Sequence, residues 1–184
     1  DYPAGTDAEL RQAILDANAD GDLSSTITLT ADIAITGALP ASTKTLIIDT
    51  AGFSTNGITP AGLVTLYGTV HGNDDPINFT GQAGLTTASP GGITTTITNY
   101  ATITGGSGSN GTSTRALGAN IQNNGNLINN GTITGGNSVN YGLIEGGNGA
   151  VAIQGTTLPV NIVNDGIIRA GTGGTVAMDL SQAQ

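Results

Sequence analysis

A short phrase of polar, glycine and apolar positions recurs through the second half of the chain, with the pattern Asn-x-Gly-x-Ile-x-Gly-Gly. The clearest copies span residues 129–136 and 140–147, and a looser copy spans 164–171. A degenerate copy at 99–106 has Ala in place of the first Gly, and a truncated start lies at 123–125. This repetition indicates a solenoid, because a single repeat cannot bury its apolar face whereas stacked neighbours can.

Each part of the phrase predicts a structural role. Asn hydrogen-bonds its own turn and Gly adopts positive φ freely, so the chain is predicted to bend at Asn-x-Gly. The predicted corner residues are Asn99, Asn123, Asn129, Asn140, Asn164, Gly125, Gly131, Gly142 and Gly166. The aliphatic residues two positions before Asn are predicted to point inward, and these are Ile97, Ile121, Leu127 and Ile162. Stacked Asn side chains are expected to form an amide ladder. The spacing from Asn99 to Asn123 predicts about 24 residues per coil, and so does that from Asn140 to Asn164.

Residues 6–19 show a helical period instead. Thr6 is the predicted N-cap, and Glu9 three residues later completes a capping box. Apolar residues then recur at the i, i+3, i+4 and i+7 positions of one face. A helix ahead of stacked β repeats is expected to cover the open apolar end of the first repeat. The residues that carry this cap prediction are Thr6, Glu9, Leu10 and Ile14, with Ala13 and Ala17 completing the apolar stripe.

From Ser25 onward the apolar residues alternate with period two, which is typical of half-buried strands. Short strands separated by Gly, Pro and Asn-Gly breaks fit a sandwich or a solenoid, and the repeated phrase favours the solenoid. The predicted fold is therefore all-β, a right-handed parallel β-helix with an N-terminal capping helix. We predict a cap at 1–24 and β-helix coils at 25–184. Residues 50–95 are expected to be irregular or loop-bearing, and 97–171 to hold the regular repeats.

Composition narrows the possible functions. The chain has 184 residues, of which 9% are charged and 3% aromatic, with 30 glycines and a net charge of −9. Nucleic acid is disfavoured as a partner, because few cations could meet phosphates; they are Arg11, Lys44, Arg115 and Arg169. The absence of cysteine excludes disulfides and thiolate chemistry. No run of 18 apolar residues could span a membrane as a helix.

The best cluster for polysaccharide hydrolysis is Asp74 and Asp75 with His71, to which Asp49 could add a carboxylate from a neighbouring coil. Such chemistry needs two or more carboxylates facing one sugar. Adjacent aspartates point to opposite faces of an extended strand, and Pro76 favours a turn after them. We therefore interpret this cluster as a solvated corner loop.

Other candidate sites are weaker still. The Asp20-Gly21-Asp22 segment resembles a fragment of a calcium loop but lacks the EF-hand spacing. We accordingly predict no catalytic residue, no metal and no cofactor. Tyrosines could form an aromatic stripe for sugar or protein contact, or simply stack at corners. The candidate binding surface comprises Tyr67, His71, Asp74, Asp75, Tyr100 and Tyr141.

Two segments resemble known families. Residues 8–18 resemble the Leu-Arg-x-Ala-Ile-x-x-Ala-Asn opening of pectin-lyase-like β-helix proteins, and a Thr/Ile-rich strand follows at 26–29. Residues 127–136 resemble the passenger repeats of bacterial type V autotransporters, particularly the adhesin-like ones. The resemblance touches residues 6–36 and 97–171 directly.

The resemblance implies an N-terminal fragment of a passenger, secreted and displayed on the bacterial cell surface. It implies non-catalytic attachment to a host cell-surface or extracellular-matrix component, or self-association between bacteria. Membrane contact is expected through a C-terminal translocator, which this sequence lacks. Two alternatives stay open, namely a passive stalk of a larger autotransporter and a β-helix polysaccharide-degrading enzyme centred on Asp49, Asp74 and Asp75.

Overall fold

The described part of the chain consists mainly of short strands in parallel sheets, with one α-helix near the N terminus. The computed structural model describes residues 1–74, 82–88, 90–107, 117–121, 125–136, 153–155, 161–169, 171 and 178–179. The helix α1 spans Asp7–Ala19, and a 3-10 turn spans Pro90–Gly92. The strands are β1 (Tyr2–Ala4), β2 (Ser24–Leu29), β3 (Ala41–Asp49), β4 (Ala61–Tyr67), β5 (Thr69–His71), β6 (Leu85–Thr86), β7 (Thr96–Asn99), β8 (Thr102–Thr104), β9 (Ala119–Ile121), β10 (Asn126–Asn129), β11 (Thr132–Thr134), β12 (Ile153–Gly155), β13 (Asn161–Asn164), β14 (Ile167–Arg169) and β15 (Met178–Asp179).

These strands form three sheets, which the chain visits in rotation. The first sheet has the order β1-β2-β3-β4-β7-β10-β13, the second β5-β8-β11-β14 and the third β6-β9-β12-β15. From β4 onward, each strand of the first sheet is followed by one strand of the second and one of the third. Pairing is parallel throughout these sheets. The region 50–95 contributes β4, β5 and β6, one strand to each sheet.

Inward-pointing aliphatic side chains form columns that run across the strands. In the first sheet, Leu46, Val64, Ile97 and Leu127 occupy one register position, and each is at most 3% exposed. In the second sheet, Val70, Ile103 and Ile133 likewise share one register position and are buried. The inward positions predicted from the phrase are confirmed, since Ile97, Ile121 and Leu127 are fully buried and Ile162 packs partly buried against the core. Two residues of the apolar pattern, Leu63 and Ile93, instead face outward and are 47% and 43% exposed.

A neighbouring column of the first sheet changes from aliphatic to polar along its length. Its members in register are Ile27, Ile48, Leu66, Asn99, Asn129 and Asn164. Asn99 Nδ2 donates to Asn129 Oδ1 at 2.8 Å, and Asn129 Nδ2 donates to Asn164 Oδ1 at 2.7 Å. Each Nδ2 also donates to the backbone carbonyl two residues later. The predicted amide ladder is therefore present, and it supplies partners to Asn99 and Asn129 although both are fully buried.

The predicted coil length of about 24 residues is wrong. The paired asparagines Asn99 and Asn129 are 30 residues apart, and Asn129 and Asn164 are 35 apart. The lengths differ because the connection from the second sheet to the third runs over 105–118 in one case and 135–152 in the next. Connections between strands tolerate insertions at small free-energy cost, so corner residues alone do not fix the period.

Gly131 and Gly166 of the phrase are needed for close backbone approach, so the positive-φ prediction is wrong at these two positions. Neither Gly131 nor Gly166 has a positive φ. A Cβ on Gly131 would lie 2.3 Å from the Ala101 carbonyl oxygen, and one on Gly166 would lie 2.2 Å from that of Gly131. Gly125 is buried directly before β10. The predicted corners Asn123, Asn140 and Gly142 lie outside the described residues.

The helix α1 is confirmed, with Thr6 as its N-cap. Thr6 Oγ1 accepts a hydrogen bond from the Glu9 N–H at 3.2 Å, while the Glu9 carboxylate accepts from the Gly5 N–H at 2.8 Å. The predicted stripe is buried, namely Leu10, Ala13, Ile14 and Ala17. This face packs against β1, β2 and β3. Sequence patterns did not predict β1, which pairs with β2 as the first strand of the first sheet.

Candidate functional site

Two residues of the predicted binding surface, Tyr67 and Tyr100, form a stacked pair on the outside of the first sheet. Their ring centroids are 5.1 Å apart and their planes differ by 6°. The side chains are 40% and 48% exposed. Tyr67 ends β4 and Tyr100 directly follows β7, so the pairing of these two strands brings the rings together. Each ring covers only one face of the other, so aromatic surface of the pair remains exposed to a partner.

The surface beside the tyrosine pair mixes hydroxyl and aliphatic side chains. The outward column next to it reads Ile47, Thr65, Thr98, Ile128 and Val163 in register. We call this column together with Tyr67 and Tyr100 the tyrosine face. Asp49 is in register with Tyr67 and lies at the edge of this face, while the column itself carries no charge. Exposed aromatic residues beside uncharged side chains are typical of surfaces where proteins contact one another.

His71 lies in an open groove of about 690 Å³, away from the tyrosine pair in the second sheet. We define the His71 groove by the residues 32–34, 54–56, Thr69, His71 and Asn73. Backbone bonds hold the two preceding segments beside β5. The Ile33 N–H donates to the Ser54 carbonyl at 3.0 Å, and the His71 N–H donates to the Thr55 carbonyl at 3.2 Å. The groove is thus formed by backbone pairing that extends the second sheet.

Some polar side chains in the His71 groove are fixed by hydrogen bonds. Asp32 Oδ1 accepts from the Ser54 N–H at 2.8 Å and from the Ser54 hydroxyl at 3.1 Å. Asn56 Oδ1 accepts from the Ile35 N–H at 2.6 Å, and its Nδ2 donates to the Ile35 carbonyl at 3.3 Å. These bonds hold the groove walls in place without a ligand.

Thr55 belongs to the groove segments but its hydroxyl is buried beneath the surface, whereas the side chains of His71 and Asn73 are open to a ligand. Thr55 is 5% exposed, and its Oγ1 has no hydrogen-bond partner among the described residues. Thr55 stands between Ile33 and Val70 in an otherwise aliphatic inward column. Within the described part of the chain, neither the His71 ring nor the Asn73 amide forms a hydrogen bond. Unsatisfied buried polar groups are uncommon and call for an explanation.

A smaller cavity of about 440 Å³ adjoins the groove and shares Asn56 with it. Gly57 lines this cavity at a φ of +96°, and a Cβ there would lie 2.6 Å from the Ala83 carbonyl oxygen. Asn120 also lines this cavity, and its buried Oδ1 has no hydrogen-bond partner in the described ranges. The cavity is therefore enclosed by tightly approaching backbone on one side.

The carboxylates considered for hydrolysis serve separate backbone turns. Asp49 Oδ1 accepts from the Ala51 N–H at 2.8 Å within its own turn. Asp74 Oδ1 accepts from the Ser107 N–H at 2.5 Å and so ties the turn after β5 to the turn after β8. Asp75 and Tyr141 lie outside the described residues. The structure thus assigns Asp49 and Asp74 backbone partners and does not bring them into one pair.

Asp20, noted above for its resemblance to a calcium loop, is surrounded by protein donors. Lys44 Nζ forms a salt bridge with Asp20 Oδ1, while Tyr2 and Ser25 hydroxyls donate to Oδ2 at 2.5 and 2.9 Å. The hydrogen bond from Lys44, followed by that from Tyr2, holds the pKa of Asp20 well below its usual range. Hydrogen bonding to Asp20 in turn raises the pKa of Tyr2 to about 12. This cluster links β1, β2 and β3 to the end of α1.

A second polar link connects the start of α1 to the segment that follows β2. Arg11 pairs with Asp7 at 3.0 Å and also donates to the carbonyls of Thr36 and Ala38. Burial raises the pKa of Asp7, but hydrogen bonds from Thr36 and Arg11 outweigh it and lower the pKa overall. Both charged clusters therefore stabilise the N-terminal segment, and neither contains a residue of the candidate binding surface.

Sequence reasoning identified His71 but missed the rest of its groove. Asp32, Thr55 and Asn73 come from three separate segments, and no motif links them. Hydroxyl and Asn side chains are so frequent in this chain that their position gave no signal. A polar residue in an inward aliphatic column, as at Thr55, is the signal that could have been used once the strand pairing was known.

Comparison of the chain with protein-family models, with curated proteins and with solved structures gives no match. Among the described residues there is no group of three or more His, Asp or Glu side chains placed to hold a metal ion. Within the same ranges, no helix has the length and apolarity needed to cross a membrane.

Proposed function

We propose that this chain is a right-handed parallel β-helix and forms part of the passenger of a bacterial type V autotransporter adhesin, displayed on the cell surface. In this proposal it attaches by non-catalytic binding to a host cell-surface or extracellular-matrix component, or to further copies on other bacteria. Rotation of successive strands through three parallel sheets is the arrangement that such a solenoid requires. The handedness follows from the strong right-handed preference of parallel crossovers.

The observation that carries the proposal is the amide ladder of Asn99, Asn129 and Asn164. The ladder joins copies of the phrase that resembles autotransporter passenger repeats, so the sequence resemblance and the strand stacking meet in the same residues. Stacked repeats of this kind expose a long outer surface relative to their narrow core. That surface, more than an enclosed pocket, is then where a partner would bind.

The tyrosine face supports binding to a protein partner. It combines the exposed Tyr67–Tyr100 pair with aliphatic and hydroxyl side chains, and Asp49, in register with Tyr67, adds a carboxylate at its edge. Aromatic residues contribute strongly at protein interfaces because they bury a large area with little loss of conformational freedom.

Adherence of coated beads to epithelial cells and to immobilised matrix proteins tests the proposal. The comparison is a β-helix of similar size with a scrambled surface, and circular dichroism verifies that each sample is folded. Binding above this control is expected. The double variant Tyr67→Ser/Tyr100→Ser should reduce it, whereas Ile167→Ser, at a 44% exposed position of the second sheet, should not. Clumping of coated beads with one another would indicate self-association. If a folded sample showed neither adherence nor clumping, the adhesin function would be contradicted and a passive stalk favoured.

A further inference from the structure

We propose that the His71 groove binds a neutral saccharide. This inference rests on the proposed function, since adhesion to a cell requires a ligand on that cell, but it concerns a surface separate from the tyrosine face. The groove has the dimensions of a small-ligand site, because its volume of about 690 Å³ lies within the usual range of roughly 300–1,000 Å³.

The groove is formed before any ligand binds. Backbone pairing joins the segments 32–34 and 54–56 to β5, and the Asp32 and Asn56 side chains hold these segments through backbone and hydroxyl partners. A site with fixed walls loses little conformational entropy on binding. Weak ligands such as sugars, which offer mainly hydrogen bonds, depend on such preorganisation.

The available groups match the chemistry of sugar hydroxyls. A hydroxyl both donates and accepts, so it is best met by a mixture of donors and acceptors. The Asn73 amide provides both, the two ring nitrogens of His71 lie in the same groove, and the Asp32 carboxylate has a second oxygen that can accept.

Charge selects a neutral ligand over an acidic one. The described groove lining contains the Asp32 carboxylate and neither lysine nor arginine. The chain as a whole carries a net charge of −9. Sialic acids, uronic acids and phosphates would therefore approach against like charge, without a cation to pair with. A neutral hexose chain meets no such penalty.

The surface beyond the groove can accommodate a chain longer than one sugar. Thr69 of the groove is in register with Thr102 and Thr132 on the outer side of the second sheet. Their hydroxyls recur at the strand spacing of about 4.8 Å, which is on the scale of a sugar ring. An oligosaccharide that enters at His71 can continue across the strands along this threonine column.

Titration calorimetry with neutral tetrasaccharides built from glucose, mannose or galactose tests the inference. Sialylated and uronic-acid tetrasaccharides of equal length are the charged comparison. The variants His71→Ala and Asn73→Ala remove ligand-facing groups, and Thr45→Ala, at an exposed position of β3 outside both surfaces, is the matched control. We expect binding of at least one neutral tetrasaccharide. Each groove variant should weaken it by roughly tenfold, since each removes hydrogen bonds to the ligand, and the control should leave it unchanged. Thermal unfolding of each variant verifies that the fold is retained.

The two proposals fail in different ways. Preference for acidic sugars, equal loss in Thr45→Ala, or no binding of any neutral tetrasaccharide would overturn the saccharide inference. Bead adherence that persists in His71→Ala would then leave the adhesin function standing on the tyrosine face. Saccharide binding without bead adherence would instead contradict the adhesin function while supporting the groove.

Discussion

Asn99 and Asn129 are 30 residues apart in the sequence, yet their side-chain amides are joined by a 2.8 Å hydrogen bond in the core of the first sheet. Both residues are fully buried. The same bond continues from Asn129 to Asn164, so the Asn129 amide is bonded on both sides, whereas the Asn99 amide is completed by the Ala101 backbone. A buried amide is costly when it loses its partner, and the ladder therefore fixes which strands pair and in which register.

Breaking the ladder at its centre should destabilise the protein. Asn129→Leu leaves the buried Asn99 amide without its side-chain acceptor, and we expect a loss of about 1–3 kcal/mol in the free energy of unfolding by urea. The double variant Asn99→Leu/Asn129→Leu should lose less than the sum of the two single changes, because it extends the aliphatic column that ends at Leu66. Strictly additive losses would contradict this coupling. Asn126→Leu, at a partly exposed site where the change removes one hydrogen bond to Thr96 Oγ1, is the control and should cost less than Asn129→Leu.

Gly131 is expected to resist substitution because of the backbone beside it. In Gly131→Ala the new Cβ would lie 2.3 Å from the Ala101 carbonyl oxygen, so the strands must separate locally. We expect a loss of about 1–3 kcal/mol, as for other overpacked sites. Gly21→Ala, where a Cβ meets nothing within 4 Å, provides the same change in open space. Equal thermal shifts for the two variants would show that loss of glycine flexibility, and not close approach, is responsible.

Thr55 and Thr50 are both buried, and they should respond in opposite directions to the same substitution. Thr55 Oγ1 has no partner in the described part of the chain, so Thr55→Val should stabilise the protein by about 1 kcal/mol. Thr50 Oγ1 accepts from the Thr69 N–H at 2.8 Å, so Thr50→Val should destabilise it by a similar amount. Urea unfolding measures both. Destabilisation in Thr55→Val would indicate that its hydroxyl is satisfied in solution.

The parts of the fold set by local pattern were predictable from sequence, and those set by pairing were not. The capping residues Thr6 and Glu9 and the stripe of α1 act within a few residues, so the sequence predicts them directly. The amide ladder was predictable because one phrase repeats. Its period was not, because the spacing from Asn99 to Asn129 includes a connection whose length varies.

The candidate sites show the same division between local and long-range determinants. Tyr67 and Tyr100 were named as candidates, but their stacking depends on the register between β4 and β7. His71 was named as well, yet its groove needs Asp32 and Thr55 from distant segments. Side chains that converge only through long-range pairing leave no spacing in the sequence that would reveal them.

The Asp20 cluster should control stability at low pH. Its hydrogen bonds from Lys44 and Tyr2 lower the pKa of Asp20 in the folded state, whereas an unfolded aspartate has a pKa of about 3.9. The stabilisation is therefore fully present above that value and is lost as the pH falls toward the folded-state pKa. Asp20→Asn should lower the thermal midpoint at pH 7 and reduce its decline between about pH 4 and pH 2.

The matched control for Asp20 is Asp22→Asn, which removes a carboxylate two residues away. The backbone carbonyl of Asp22, and not its side chain, accepts from Lys44 Nζ at 3.0 Å, so this variant should keep the wild-type acid dependence. Thermal unfolding followed by circular dichroism across this pH range compares the two variants with the wild type. If Asp20→Asn and the wild type declined in parallel on acidification, other carboxylates would account for the acid sensitivity. The charge of Asp20 would then contribute little to the contact between β1 and β3. The hydrogen bonds from the Tyr2 and Ser25 hydroxyls would be the main stabilising contacts of the cluster.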